Sequence, residues 1–153
     1  MDNAEHRPSV ASAVSYKDPK AALKWLEEAF GFEPFMVIIG PNDELMHSEM
    51  RFGDGIVMVG SEWSPVHKSP KSIEGFNTQT IHVHLNEDVD AHCERARKAG
   101  AVIQMEPATQ FYSDRTYRAV DPEGHIWSFG QTVKQMTSEE WDKAAGVKTK
   151  TRL

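Results

Sequence analysis

Apolar and polar residues alternate from Val10 to Tyr16, which is the pattern of a half-buried β-strand. The period then changes, because Asp18 followed by proline predicts a helix start and Leu23, Leu26 and Phe30 recur at helical spacing. Further apolar segments separated by turn residues complete a β-α-β-β-β order. The predicted strands after this helix are Phe32–Ile39, Leu45–Phe52 and Ile56–Gly60.

The same order of elements restarts after a long segment without periodicity. Thr80–Leu85 alternates again, Asp88 begins a second helix, and a hairpin turns at Asp121–Gly124. The two helix-capping residues Asp18 and Asp88 are 70 residues apart, as are the glycines that end the two last strands. This internal repeat predicts two modules of one kind. The predicted strands after the second helix are Ala101–Met105, Thr116–Val120 and His125–Gly130.

The length and the repeat together predict one domain, 1–153, since a chain of this size forms one core rather than two. A capping-box sequence at Thr137–Glu140 predicts a final helix. Trp25, Trp127 and Phe129 fall on apolar stripes and are predicted to lie in the core. The predicted parts are module one at about 9–62, the crossover at 63–77, module two at about 78–133 and the C-terminal helix at about 137–146.

The charge and the apolar runs exclude several classes of function. The net charge is −6 and the basic residues are scattered among more numerous acids, whereas a duplex-binding protein needs a basic face. No apolar run is long enough to cross a bilayer, and Met1–Pro8 is too polar for a secretion signal. We therefore expect a cytoplasmic protein without a nucleic-acid or membrane partner. The single cysteine, Cys93, permits neither an internal disulfide nor a cysteine-based zinc site.

Three segments carry a resemblance to a known family. They are Tyr16 to Glu33, Asp88 to Ala101, and the turn and strand Asp121-Pro122-Glu123-Gly124-His125-Ile126-Trp127. Together with Asp114-Arg115, these segments resemble the vicinal-oxygen-chelate superfamily of glyoxalase, bleomycin-resistance and extradiol-dioxygenase proteins. The resemblance implies an α+β fold in which two βαβββ modules form a cup-shaped mixed sheet with the helices on its outer face. It also implies a homodimer, because in this fold class a dimer completes the clefts.

The resemblance also indicates where a metal ion is held in the family. Its metal enzymes take His, Gln or Glu ligands from the first and last strands of each half, where the ion binds substrate oxygens. In this chain the four positions fall at Ala11, Met58, Ser128 and either Thr80 or His82. Alanine cannot ligate an ion, and methionine and serine suit such an ion poorly. We therefore expect no metal and no other cofactor.

A displaced site for a divalent metal is the alternative. His82 and His84 alternate with apolar residues on one predicted strand, and His47 and Glu49 do so on another. If both sets point into the cup, these four side chains form a polar cluster that can hold a cation. The other interpretation is that they are hydrogen-bonded residues of the cup or of the surface.

Aromatic side chains are concentrated in the irregular segments. Trp63 lies in the crossover, and Tyr112 and Tyr117 flank Asp114-Arg115. Such loops on a rigid scaffold commonly bind small molecules, but cover for the core is an equally good interpretation. For Arg115 the alternative is a structural salt bridge, either near Asp114 or with Asp121. The predicted ligand-binding residues are His47, Glu49, Trp63, His82, His84, Tyr112 and Arg115.

The sequence leaves three functions open. The first is metal-independent binding of a small planar organic molecule, as in antibiotic-resistance members of the family that sequester a drug unchanged. The second is a metal-dependent lyase, isomerase or dioxygenase reaction on the same fold. The third is catalysis without a metal, with His47 or Glu49 as a general base. The residues at the metal positions favour the first.

Overall fold

Two βαβββ modules follow one another in the chain. The computed structural model describes residues 7–153, so the first six residues of the polar N-terminal segment lie outside the described residues. The first module consists of β1 (Ser12–Tyr16), α1 (Pro19–Phe30), β2 (Glu33–Ile39), β3 (Leu45–Phe52) and β4 (Gly55–Ser61). The second consists of β5 (Thr80–His84), α2 (Val89–Lys98), β6 (Val102–Thr109), β7 (Asp114–Val120) and β8 (Ile126–Thr132), and α3 (Ser138–Ala145) follows it. A short 3₁₀ turn, Pro70–Ser72, lies in the crossover.

Each module forms its own four-stranded mixed sheet. The strand orders are β1-β4-β3-β2 and β5-β8-β7-β6, and in each sheet the first strand is parallel to the last. The predicted α+β class and the repeat of modules are thus confirmed. The prediction for β6 was too short, because this strand continues through Pro107 to Thr109. Proline is tolerated there because β6 is an edge strand and its pairing with β7 is irregular.

The helix ends follow local sequence signals. The carboxylate of Asp18 accepts a hydrogen bond from the Ala21 amide at 3.0 Å, and the Asp88 carboxylate accepts bonds from two amides of α2. The capping box between Thr137 and Glu140 is present at the start of α3. None of the helices in the described part of the chain is both long and apolar enough to span a membrane.

The two modules share one hydrophobic core. Trp127 and Phe129 on β8 are completely buried, and the ring of Phe30 at the end of α1 lies 5.5 Å and 4.7 Å from theirs. Phe32, just before β2, has its ring 5.4 Å from that of Trp127. These contacts show that residues of both modules belong to the same core. The predicted core positions of Trp127, Phe129 and the partly buried Trp25 are confirmed.

A buried carboxylate joins the two modules. Asp121, in the turn before β8, accepts hydrogen bonds from the Tyr16 hydroxyl on β1 at 2.6 Å and from the Trp127 indole at 3.1 Å. Its other oxygen accepts from the backbone amides of Glu123 and His125, each at 3.0 Å. Every one of these donors is satisfied by this one side chain, so the turn is fixed to both halves of the core.

Other residues of this turn also contact the first module and the crossover. The Glu123 carboxylate accepts hydrogen bonds from the amides of Lys17 and Asp18 and from the Ser69 hydroxyl, which ties β1 and the crossover to the second module. Gly124 has a φ of 96°, and a Cβ added there would lie 2.9 Å from the Cβ of Pro70. The Asp-Pro-Glu-Gly sequence is therefore an inter-module joint, in addition to being a turn.

A second buried polar network lies inside the core. His92 on α2 is buried, with Nδ1 2.7 Å from the Tyr117 hydroxyl and Nε2 2.8 Å from the backbone carbonyl of Phe30. The carbonyl only accepts, so Nε2 carries the proton and Nδ1 accepts from Tyr117. This arrangement satisfies the neutral imidazole completely. Tyr117 falls in the predicted strand Thr116–Val120 but was also grouped with the aromatic residues of the irregular segments. It is a core residue of β7, because alternate positions of β7 face the core.

Candidate functional site

The polar face of the first sheet forms one half of the candidate site. Val14, Met50 and Val57 point into the core, so the residues that alternate with them point outward. In register, Met58 on β4 lies between Ala13 on β1 and Glu49 on β3. We call this face the first half-cup; it comprises Ala13, His47, Glu49, Arg51 and Met58.

Glu49 is the most buried side chain of the first half-cup that carries a charge, with 3 % of its surface exposed. Its Oε1 atom lies 3.0 Å from Nε2 of His47 and accepts a hydrogen bond from Nη1 of Arg7 at 3.3 Å. Burial raises the pKa of Glu49, but the hydrogen bonds and charges of His47 and Arg7 outweigh burial and hold the pKa below its ordinary value. Glu49 is therefore a carboxylate at neutral pH, which makes it a weak general base.

The polar face of the second sheet forms the other half. His82 on β5 is paired in register with Ser128 on β8, and its Nδ1 lies 3.0 Å from the Ser128 hydroxyl. A Cβ at Gly130 would come within 3.1 Å of the His82 ring, so glycine leaves room for the imidazole to lie across the sheet. We call this face the second half-cup; it comprises His82, His84, Thr116, Arg118 and Ser128.

The strand register shows which residues lie beside Met58 and Ser128, two of the predicted metal positions. Met58 pairs with Ala13, two residues after the predicted Ala11, and neither alanine can ligate an ion. Ser128 pairs with His82, whereas Thr80 pairs with Ile126. At most one of the four predicted positions therefore holds a good ligand, and such a set does not fit the ion of the family's metal enzymes. Within residues 7–153, no three side chains of His, Cys, Asp or Glu are grouped so as to hold a metal ion.

The predicted cluster of four polar residues is divided between the two sheets. His47 and Glu49 contact each other on the first half-cup, whereas His82 and His84 lie on the second. The residues of both half-cups alternate with core residues of the same strands, so both faces point away from the common core. In the part of the chain that the structure describes, the four side chains do not form one metal-binding group.

The two aromatic residues predicted to stack on a ligand lie in separate places. Trp63 has 70 % of its surface exposed and stacks on the His67 ring at 4.0 Å. Tyr112 is less exposed and packs edge-on against Phe111 at 5.1 Å. Tyr112 lines a cavity of about 460 Å³ in front of α3, which Trp63 does not line. Trp141 lies in the wall of the same cavity, so its fluorescence would also report a ligand beside Tyr112.

Arg115 forms a structural ion pair. Its Nε and Nη2 atoms bind the two carboxylate oxygens of Asp90 at 2.7 Å and 2.8 Å. These hydrogen bonds hold the pKa of Asp90 below its ordinary value. The expected alternative of a salt bridge is correct, but the partner is on α2 rather than beside Asp114 or at Asp121, because Arg115 faces the helix side of β7.

The site also contains a residue that the sequence did not indicate. Arg7 precedes β1 and reaches Glu49, which is 42 positions away along the chain. No local pattern marks an arginine in an irregular segment as the partner of a strand residue. Only the charge of Glu49, predicted to lie on a polar strand face, could have suggested that a cation would be found nearby.

Comparison with known proteins agrees with the fold. The family model described as the Glyoxalase/Bleomycin resistance protein/Dioxygenase superfamily matches residues 10–129. The chain belongs to this superfamily. Uncharacterised proteins of Mycobacterium bovis and Mycobacterium tuberculosis are each 29 % identical to it over 137 residues. That match covers 87 % of this chain, 89 % of the M. bovis protein and 79 % of the M. tuberculosis protein.

Solved structures of the superfamily are similar over most of this chain. TioX from Micromonospora sp. ML1 is 27 % identical, with a TM-score of 0.65, and the match covers 82 % of this chain and 100 % of TioX. TnmS3, an antibiotic binding protein from Streptomyces sp. CB03234, is 21 % identical, with a TM-score of 0.60 and coverage of 83 % and 98 %. Within the superfamily, fold alone does not assign an activity.

Proposed function

We propose that this protein binds a small, planar, partly apolar organic molecule and does so without a metal ion. The observation that carries the proposal is the set of residues at the four predicted metal positions: Ala11, Met58, Ser128 and either Thr80 or His82. The rest of each half-cup is polar, and such a face has to meet either water or a ligand. TnmS3, which has the same fold, is an antibiotic binding protein, and this supports ligand binding without chemistry.

We further propose that the ligand site lies between two copies of the chain. Each half-cup faces outward and carries only half of the polar residues, so a second copy is needed to place a first half-cup opposite a second. A two-fold dimer would create two equivalent clefts. Sedimentation at micromolar concentration should therefore give a species of twice the 17.2 kDa chain mass. A single species of the chain mass at that concentration would rule out this arrangement.

Binding should depend on the exposed aromatic side chains. Stacking of one ring contributes about 0.5–1.5 kcal/mol beyond its buried area, so Trp63→Ala should weaken binding by about tenfold. Tyr112→Ala should have a similar effect if the ligand extends toward α3. The measurement is a tryptophan-fluorescence titration of chelator-treated protein with a panel of aromatic antibiotics and metabolites, in the wild type and both variants.

The control for this titration is Phe76→Ala, which removes another exposed aromatic ring of the crossover. Its affinity should equal that of the wild type. Equal affinity of Trp63→Ala and Tyr112→Ala for every ligand would show that these rings are not part of the site. Binding that disappears after chelator treatment and returns with a divalent ion would instead favour the metal-dependent alternative.

A further inference from the structure

Glu49 is a buried carboxylate whose hydrogen bonding is incomplete. Its Oε2 atom is 3.1 Å from Nη2 of Arg7 in an ion pair, but it accepts no aligned hydrogen bond from any described residue. Asp121 is buried to a similar degree, yet both of its oxygens accept two hydrogen bonds. A buried carboxylate is costly unless it is paired and hydrogen-bonded, so Glu49 has capacity for a further donor.

Arg7 neutralises the charge of Glu49, and its side chain can easily move away from the carboxylate. Its side chain is 50 % exposed, and within the described part of the chain residues 7–11 make no other hydrogen bond or ion pair. Because Arg7 is half exposed it can move into solvent, whereas the buried Glu49 still requires a cation, so this position can pass to another cationic group. By contrast, the hydrogen bond between His47 and Glu49 joins neighbouring positions of one strand.

The surroundings of Glu49 also suit a flat cationic group. The guanidinium of Arg51 lies 4.1 Å from the centre of the Phe35 ring, so one planar cation is already stacked on this sheet face. The Met58 side chain beside Glu49 offers an apolar, adaptable contact. The net charge of −6 favours the approach of cations in general.

We infer that Glu49 is the anchor for a cationic nitrogen group of the ligand, an ammonium, amidinium or guanidinium, and that Arg7 occupies this position in the free protein. This inference rests on the proposed function, because it specifies the chemistry of the ligand that the half-cup receives. The ligand's N–H groups bind both carboxylate oxygens and Arg7 moves into solvent. The pairing of Arg7 with Glu49 then competes with the ligand and lowers its apparent affinity.

The experiment compares benzamidine with benzamide, which have nearly the same shape but differ in charge. Calorimetric titrations are made with the wild type, Arg7→Ala, Glu49→Gln and Glu49→Asp. Arg7→Ala should bind benzamidine about tenfold more tightly than the wild type, because the competing guanidinium is gone. Glu49→Gln should bind it at least about tenfold more weakly, whereas Glu49→Asp should keep the preference for benzamidine over benzamide. Benzamide should bind all four proteins equally.

The matched control is Lys24→Ala, which makes the same change in net charge as Arg7→Ala on an exposed position of α1. It should leave benzamidine binding unchanged, which separates pairing with Glu49 from the general effect of charge. Circular dichroism and the melting temperature establish that each variant is folded. Benzamidine binding by Glu49→Gln equal to the wild type, no gain in Arg7→Ala, or no benzamidine binding by any of the four proteins would overturn the inference.

Failure of this inference is distinguishable from failure of the proposed function. If neutral aromatic molecules bind in the titration with Trp63→Ala but benzamidine shows no dependence on Glu49, planar binding stands and the cationic anchor is wrong. If neither the aromatic panel nor benzamidine binds, the proposed function itself is wrong.

Discussion

Replacing Asp121 with alanine should destabilise the protein by about 4 kcal/mol, since an unmet buried donor costs about 1–3 kcal/mol and several donors lose one acceptor. The Tyr16 hydroxyl, the Trp127 indole and the amides of Glu123 and His125 all bind this carboxylate. Water cannot easily replace it, because Trp127 and Tyr16 are buried in the core. Urea denaturation followed by circular dichroism measures the free energy of unfolding.

Two milder variants separate the contributions within this network. Asp121→Asn retains one oxygen but turns an amide group toward two of the donors. Its free energy of unfolding should therefore lie between those of the wild type and the alanine variant. Tyr16→Phe removes one donor and should cost only about 1 kcal/mol. Glu27→Ala, an exposed acidic position on α1, serves as the control and should stay within about 0.5 kcal/mol of the wild type. A similarly small effect of Asp121→Ala would show that the joint between the modules does not depend on this carboxylate.

Stability should also fall as the pH decreases below about 6.5, which is the ordinary pKa of histidine. Burial lowers the pKa of His92 in the folded protein, and the repulsion of Arg95 adds to this, while the hydrogen bond to Phe30 and the charge of Glu87 oppose it. Below pH about 6.5 the unfolded chain therefore binds a proton at His92 that the folded protein does not. The stabilising contribution is complete above that pH and is lost below it, by about 1.4 kcal/mol per pH unit until the folded pKa is reached.

The measurement is the free energy of unfolding at pH 7.5 and pH 5.5, where we expect a decrease of about 1 kcal/mol. His92→Gln supplies both a donor and an acceptor but does not titrate, so its decrease over this interval should be clearly smaller. The pKa of Glu49 is lowered as well, and its contribution is lost only as the pH falls through the acidic range of carboxylates, below this interval. An identical pH dependence in the wild type and His92→Gln would mean that His92 is not the group responsible.

The candidate site shows where sequence reasoning reaches its limit. The polar character of His47, Glu49 and His82 followed from strand alternation, because successive side chains of a strand point to opposite faces. Strand alternation did not indicate the partner of Glu49, because Arg7 lies in a segment without periodicity. Arg7 contacts Glu49 only after β1 has joined the sheet. The pairing of Met58 with Ala13 was likewise not evident, because the register between β1 and β4 depends on how the sheet pairs and not on the distance from a helix cap.

The sequence by itself determined the elements, their repeat and their caps, because these depend on side chains within a few residues of one another. It also determined which strand faces are apolar, and hence that Trp127 and Phe129 lie in the core. Only the tertiary structure decided that the two apolar faces contribute to one core, with Phe32 against Trp127. Alternation fixes which side of a strand is buried but not which other sheet buries it, and that choice depends on contacts between residues far apart in the chain.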